Sequence, residues 1–174
     1  MKIKNLFFII FLSIFLVFIA CEGKKEVKPS EGSALEKEVS KISPKEIGEI
    51  VGKLYVEAIE EVVEGLKDKP EIIEAKKKME ELKESYVQKL IVYGKKHEKM
   101  NQDEKNTFNR TVGYGISKVS RTIYKSYLDL QKYYRKKNRE LGNLITTFNN
   151  ITQYANFELL KKQAPKEAER LGIK

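Results

Sequence analysis

The chain has 174 residues, 41% of them hydrophobic and 34% charged, and carries a formal net charge of +9. One cysteine excludes an intramolecular disulfide, one histidine excludes a multi-histidine metal centre, and the length is that of a single domain. The cationic surplus directs attention to anionic partners.

Lys2 and Lys4 open the chain, and Leu6 to Ala20, "LFFIIFLSIFLVFIA", is apolar apart from Ser13. Fifteen helical residues cover about 22 Å, short of a hydrocarbon core of roughly 30 Å. The length suits the apolar region of an export signal, and no second apolar run of spanning length follows. The run ends "VFIAC", with small Ala20 before Cys21, the only cysteine.

This junction resembles a bacterial lipoprotein signal. Phe18 departs from the aliphatic residue usual three positions before the cysteine, a relaxed form similar to those of spirochaetes. The resemblance covers residues 1 to 21 and implies cleavage of 1 to 20, lipidation of Cys21 and the membrane as a partner. Two or more acyl chains anchor stably, whereas one binds only marginally. An ordinary secretory signal ending near a cysteine is the alternative. The expected location is the bacterial envelope, at the outer membrane or cell surface rather than the inner membrane. Glu22 is not the Asp that resembles an inner-membrane retention signal in enterobacteria.

Residues 22 to 42 are charged, contain Gly, Pro and Ser, lack a long apolar period, and read as a solvated tether from Cys21. Folded structure is expected over 43–163. Ser43 with Glu46 makes a capping box and Pro44 suits the first turn of a helix. Ile47, Ile50, Val51, Leu54, Tyr55, Ala58, Ile59, Val62, Val63 and Leu66 then recur at helical spacing. Gly48 and Gly52, four apart beside that stripe, would permit close helix approach.

"KDKPE" (67–71) turns the chain, with Asp68 as a cap candidate and Pro70 opening a second helix. Its stripe runs Ile72, Ala75, Met79, Leu82, Tyr86, Leu90 and Tyr93, with fraying expected between Gly94 and Lys99. Asn101 with Glu104 repeats the capping signature. A third helix follows with Phe108, Val112, Ile116, Val119, Ile123, Tyr127, Leu130 and Tyr134 on its apolar side, and Gly113 and Gly115 mark a weak or bent point.

The stripe continues in phase through Leu141, Leu144, Phe148, Ile151, Ala155 and Leu159. A single helix of that length would leave an apolar face in water, at roughly 25 cal/mol per Å². Either the chain folds back near Gly142 into a fourth helix, the favoured reading, or two molecules pair through the overhang as a homodimer. Pro165 ends the last helix, and 164–174 is a tail. The expected fold is all-α: an antiparallel bundle of three to four helices after a flexible tether.

Charge is unevenly placed. Residues 102 to 139 hold ten Lys and Arg against three acids, whereas 44 to 66 hold two lysines against six glutamates. On a helical wheel, Arg110, Lys118, Arg121, Lys125, Lys132, Arg135, Lys136 and Arg139 share one arc opposite the apolar stripe. Tyr127 and Tyr134 fall in the core. Tyr114 and Leu128 lie inside the basic arc and Tyr124 borders it. Rings among cations suit an anion-binding face; the alternative is a packed helix side, neutralised by the glutamate-rich first helix. Export weighs against nucleic acid and favours anionic polysaccharide or lipid headgroups.

Catalytic machinery, a metal site and a cofactor site are not expected. His97 is the only histidine, Asp68 and Asp103 sit at helix starts, and "VGYGI" lacks the ending of a phosphate loop. The sequence reads as a non-catalytic envelope binding module, an adhesin for anionic polymers. A scaffold that packs against a protein partner is the alternative, and a bundle cavity for an apolar ligand is a third, lesser reading.

Overall fold

A computed structural model describes residue 39 and residues 41–174. The chain divides into Met1–Ser30 and Glu31–Lys174, and every described residue lies in the second unit. The export signal, Cys21 and the tether as far as residue 38 lie outside the described residues. Val39 is buried and Ile42 packs against the core, so the last residues of the predicted tether join the fold.

Seven α-helices and no strand occur among the described residues. They are α1 (Pro44–Leu66), α2 (Ile72–Glu98), α3 (Gln102–Ile116), α4 (Arg121–Lys137), α5 (Arg139–Thr146), α6 (Phe157–Gln163) and α7 (Pro165–Arg170), with a 3-10 segment, Thr147–Ala155, between α5 and α6. The all-α expectation holds, but the helix count exceeds three to four. Two of the expected rods are broken rather than straight.

Helix α1 starts as its sequence indicates. The Ser43 hydroxyl accepts from the Glu46 amide at 3.3 Å, the Glu46 carboxylate accepts from the Ser43 amide at 3.0 Å, and Pro44 occupies the first turn. Its Ile47, Val51, Ala58, Ile59, Val62 and Leu66 are fully buried. Each of the Ile, Val and Leu side chains contributes about 1.5–3 kcal/mol relative to exposure. Helix α2 runs antiparallel to α1: Tyr86 on α2 donates to Glu61 at 2.9 Å, while Met79 reaches Gly65 further along α1. Ile72, not Pro70, begins α2, with Glu71 at the cap position and no side-chain cap from Asp68.

The predicted third helix is α3 and α4, with a break at 117–120. The Ser117 hydroxyl donates to the Tyr114 carbonyl at 2.7 Å, and the Lys118 and Val119 amides close tight turns onto Gly115 and Ile116. Two glycines weaken this stretch, and a serine that bonds the backbone competes with helix continuation. Both pieces run in the same direction as α1. Thr111 faces Gly48 and Gly115 faces Gly52 along the first half, and Ile123 to Lys137 flank Glu57 to Lys67 along the second. A Cβ on Gly48 would lie 2.8 Å from the Thr111 Cβ, so the glycine pair on α1 serves helix packing in water.

The chain folds back at Asn138. Its backbone is extended, with φ −152°, and its side chain caps α5 by accepting from the Leu141 amide at 2.9 Å. Gly142 is not the turn itself. A Cβ there would lie 2.6 Å from the Arg135 Cα, so glycine lets α5 lie backbone-close along α4. The Tyr127 hydroxyl then donates to the Ile145 carbonyl at 2.8 Å, and Gln131 donates to Thr146 at 2.8 Å. Leu141, Phe148, Ile151 and Ala155 of the predicted stripe are fully buried, but Leu159 is exposed: the 3-10 segment breaks the helical phase, and Leu160 takes the buried position instead.

Two further expectations are corrected. Gly94 and His97 are buried rather than frayed, because Phe157 packs directly on Gly94 and His97 packs against Phe108 with ring centroids 4.7 Å apart and planes tilted by 56°. Pro165 opens α7 instead of beginning a free tail. Ala168 is buried, and Glu167 accepts from Tyr154 at 2.8 Å and from Lys83 on α2 at 3.2 Å.

Candidate functional site

The arc of eight cations assumes one straight helix, and the break at 117–120 redistributes it. Arg110 stands on α3, Lys118 in the break, Arg121, Lys125, Lys132, Arg135 and Lys136 on α4, and Arg139 at the start of α5. All eight are exposed. Helix α4 alone presents five of them along about 25 Å.

These cations lack counter-charge, whereas four lysines of α2 have it. On α2, Lys76 pairs with Glu140, Lys77 with Glu81, Lys78 with Glu74 and Lys83 with Glu167. Among the described residues, none of the eight has a carboxylate within ion-pairing distance. Arg135 donates instead to Thr146 at 2.7 Å, and Lys118 lies over the Tyr114 ring, 4.6 Å from its centroid. The glutamates of α1 flank α4, with Glu57, Glu60, Glu61 and Glu64 around Ile123, but none forms an ion pair with the arc. Glu57 pairs with Lys53, Glu64 with Lys67, and Glu61 accepts from Tyr86.

The aromatic and apolar residues of the arc separate. Tyr114 is 66% exposed and, with Lys118, edges a cleft against Glu49 and Lys53 of α1. Tyr124 is exposed on one side and stacked on Tyr127 on the other, with centroids 5.9 Å apart. Leu128 is half-buried against the core. Tyr127 and Tyr134 are fully buried, each with its hydroxyl bonded to a carbonyl.

A groove of about 670 Å³ lies where the α1–α2 turn meets α4. Lys132 and Lys136 of the arc line it, joined by Lys67 and Lys69 from the turn and by Lys137. Val63, Leu130 and Tyr133 supply its apolar surface, and Ser126 and Asp129 its acceptors. Lys67 is ion-paired with Glu64, so four lysines without a carboxylate partner among the described residues face Asp129. The volume is that of a small-ligand site.

Two of these ammonium groups are held in place by a ring. Lys69 lies 4.9 Å and Lys137 4.4 Å from the centroid of Tyr133. The Tyr133 hydroxyl holds Lys137 above the ordinary lysine range, opposed by a little desolvation, and bonding to Glu64 does the same for Lys67. Both are therefore cationic at neutral pH. Lys69 has φ 50°, the left-handed conformation that a side-chain-bearing residue adopts at a cost. The turn is fixed from beneath by Tyr134, whose hydroxyl donates to the Pro70 carbonyl at 2.8 Å. Burial lifts the Tyr134 hydroxyl to about 12, so it remains a donor through the physiological range.

Sequence reasoning found Lys132 and Lys136 but missed Lys67, Lys69, Lys137 and Tyr133. Lys67 and Lys69 stand more than sixty positions before Lys132, and a one-helix wheel cannot bring them in. Lys137 stands in the basic run beside Lys136 but is not one of the eight residues of the arc. A signal was present in "KDKP", two lysines in a turn whose geometry presents side chains outward.

Among the described residues no group of three or more His, Cys, Asp or Glu could hold a metal, and no helix is long and apolar enough to cross a membrane. Comparison of the chain with protein families, with curated proteins and with solved structures gives no match.

Proposed function

We propose that this protein is a lipid-anchored module of the bacterial envelope, attached through Cys21, that binds anionic polymers without catalysis through α4 and the groove at its C-terminal end. The observation that carries the binding is the unpaired state of the α4 cations beside the paired lysines of α2. Exposed charges without partners sum to a field that attracts a polyanion, and its strength falls as salt screens it. Acidic polysaccharide is the envelope polymer that best matches a basic face with exposed rings at Tyr114 and Tyr124. The anchor rests on the lipobox-like "VFIAC" and on the lone cysteine.

Retention on immobilised heparin tests the binding. The full-length chain in detergent elutes well above about 150 mM salt, and Arg121→Glu with Lys125→Glu brings elution down to or below that level. Elution that the double reversal leaves unchanged would refute the reading. Metabolic labelling with a palmitate analogue tests the anchor: label appears in the wild type and disappears in Cys21→Ser.

A further inference from the structure

We propose that the groove between the α1–α2 turn and α4 binds a sugar unit that carries a phosphate or sulfate group. This inference rests on the anion-binding reading above and adds a place, a size and a ligand class to it. A strand of polyanion lying along α4 needs only a row of cations. The groove offers three different kinds of surface within one concavity of about 670 Å³.

Lys69 on the α1–α2 turn and Lys132 and Lys137 on α4 bring positive charge to the groove from two chain segments, so an oxyanion between turn and helix meets cations on both sides. Lys69 and Lys137 are already positioned by Tyr133, which lowers the side-chain entropy lost when an anion arrives. The left-handed backbone at Lys69 turns one of these ammonium groups into the groove's lining, the kind of local strain that persists where a site needs it.

Asp129 discriminates between ligands. A carboxylate within a ring of lysines opposes a bare inorganic anion and has no partner in the described structure. It accepts hydrogen bonds from hydroxyl groups, as Ser126 can on the same helix. Val63 and Leu130 provide an apolar surface suited to the C–H face of a pyranose. Charge, hydroxyl acceptors and an apolar surface together describe an acidic sugar. The groove's volume sets the length at one or two units.

Titration calorimetry of the full-length chain in detergent separates the sources of the anion. The probes are a heparin-derived sulfated disaccharide, the same disaccharide without sulfate, inorganic sulfate, and phosphatidylglycerol vesicles. The sulfated disaccharide is expected to bind at least tenfold more tightly than the unsulfated one and than inorganic sulfate. Lys69→Gln with Lys137→Gln lowers its affinity at least tenfold while leaving the unfolding midpoint unchanged. Asp129→Asn weakens the disaccharide several-fold and leaves sulfate binding equal or stronger. Equal binding of disaccharide and inorganic sulfate, or no effect of the lysine pair, overturns the inference. So does vesicle binding that depends on Lys69 and Lys137 in place of disaccharide binding. If heparin retention still depends on Arg121 and Lys125 in those cases, the broader function stands without the groove.

Discussion

Gly52 of α1 and Gly115 of α3 meet backbone to backbone: a Cβ added to Gly52 would lie 2.7 Å from the Gly115 Cα, and one added to Gly115 would lie 2.6 Å from the Gly52 Cα. No neighbouring side chain can yield, because the obstruction is main chain. Gly52→Leu or Gly115→Leu is therefore expected to cost about 3 kcal/mol through overpacking. Gly113, two residues away, has nothing within 4 Å of such a Cβ. Gly113→Ala is expected to stabilise by up to about 1 kcal/mol, since alanine is the better helix former. Urea unfolding of the three variants checks both signs.

The Tyr134 hydroxyl ties α4 to the Pro70 carbonyl and so to the turn that carries Lys67 and Lys69. Tyr134→Phe leaves every charge in place. It is expected to lower stability by about 1 kcal/mol and to weaken binding of the sulfated disaccharide several-fold by loosening the turn. Binding unchanged in this variant would show that the groove's lysines do not depend on the turn's position.

His97 is buried with neither ring nitrogen hydrogen-bonded. Burial lowers its proton affinity, the adjacent Lys105 lowers it further, and Glu158, bonded to Lys105, opposes them. The unfolded chain takes up the proton near the ordinary value of about 6.5, whereas the folded chain does so only at lower pH. Stability is therefore complete above that value and declines as pH falls below it. Urea midpoints at about pH 7.5 and about pH 5.5 are expected to differ in the wild type and to converge in His97→Leu.

Glu167 holds α7 against α2. Burial would raise its pKa, but donors on Arg170, Tyr154 and Lys83 outweigh burial and lower it to about 2. The lowered value means that this contribution is present above the ordinary glutamate range and is lost as pH falls toward about 2. Glu167→Gln removes the charge-assisted bonds and is expected to cost roughly 2 kcal/mol. Amide exchange should accelerate first at Ala168 and its neighbours.

Much of the fold was legible because it is local. The capping pairs Ser43–Glu46 and Asn101–Glu104 stand where the sequence places them, since a cap needs only residues three apart. The fold-back after α4 follows from the cost of exposing Leu141 to Ala155; Leu159 stays exposed because the 3-10 segment shifts the helical phase before it. The break at 117–120 was hidden because Ile116, Val119 and Ile123 keep helical spacing across a short turn, and a stripe records facing rather than continuity. Burial of His97 was signalled by its place one turn past Tyr93. The "KKHEK" charges around it obscured that, because only one side of the helix end is wet. The groove was half legible: the α4 lysines are patterned, while Lys67 and Lys69 reach them only through tertiary packing of the turn.

The salt dependence of affinity tests the central claim most directly. Binding of the full-length chain to a sulfated polysaccharide, measured from about 50 to about 500 mM salt, is predicted to fall steeply, with a shallower slope in Lys132→Gln with Lys136→Gln. Affinity that stays flat across that range, with the same slope in the double variant, would contradict it and point to a partner held by helix packing.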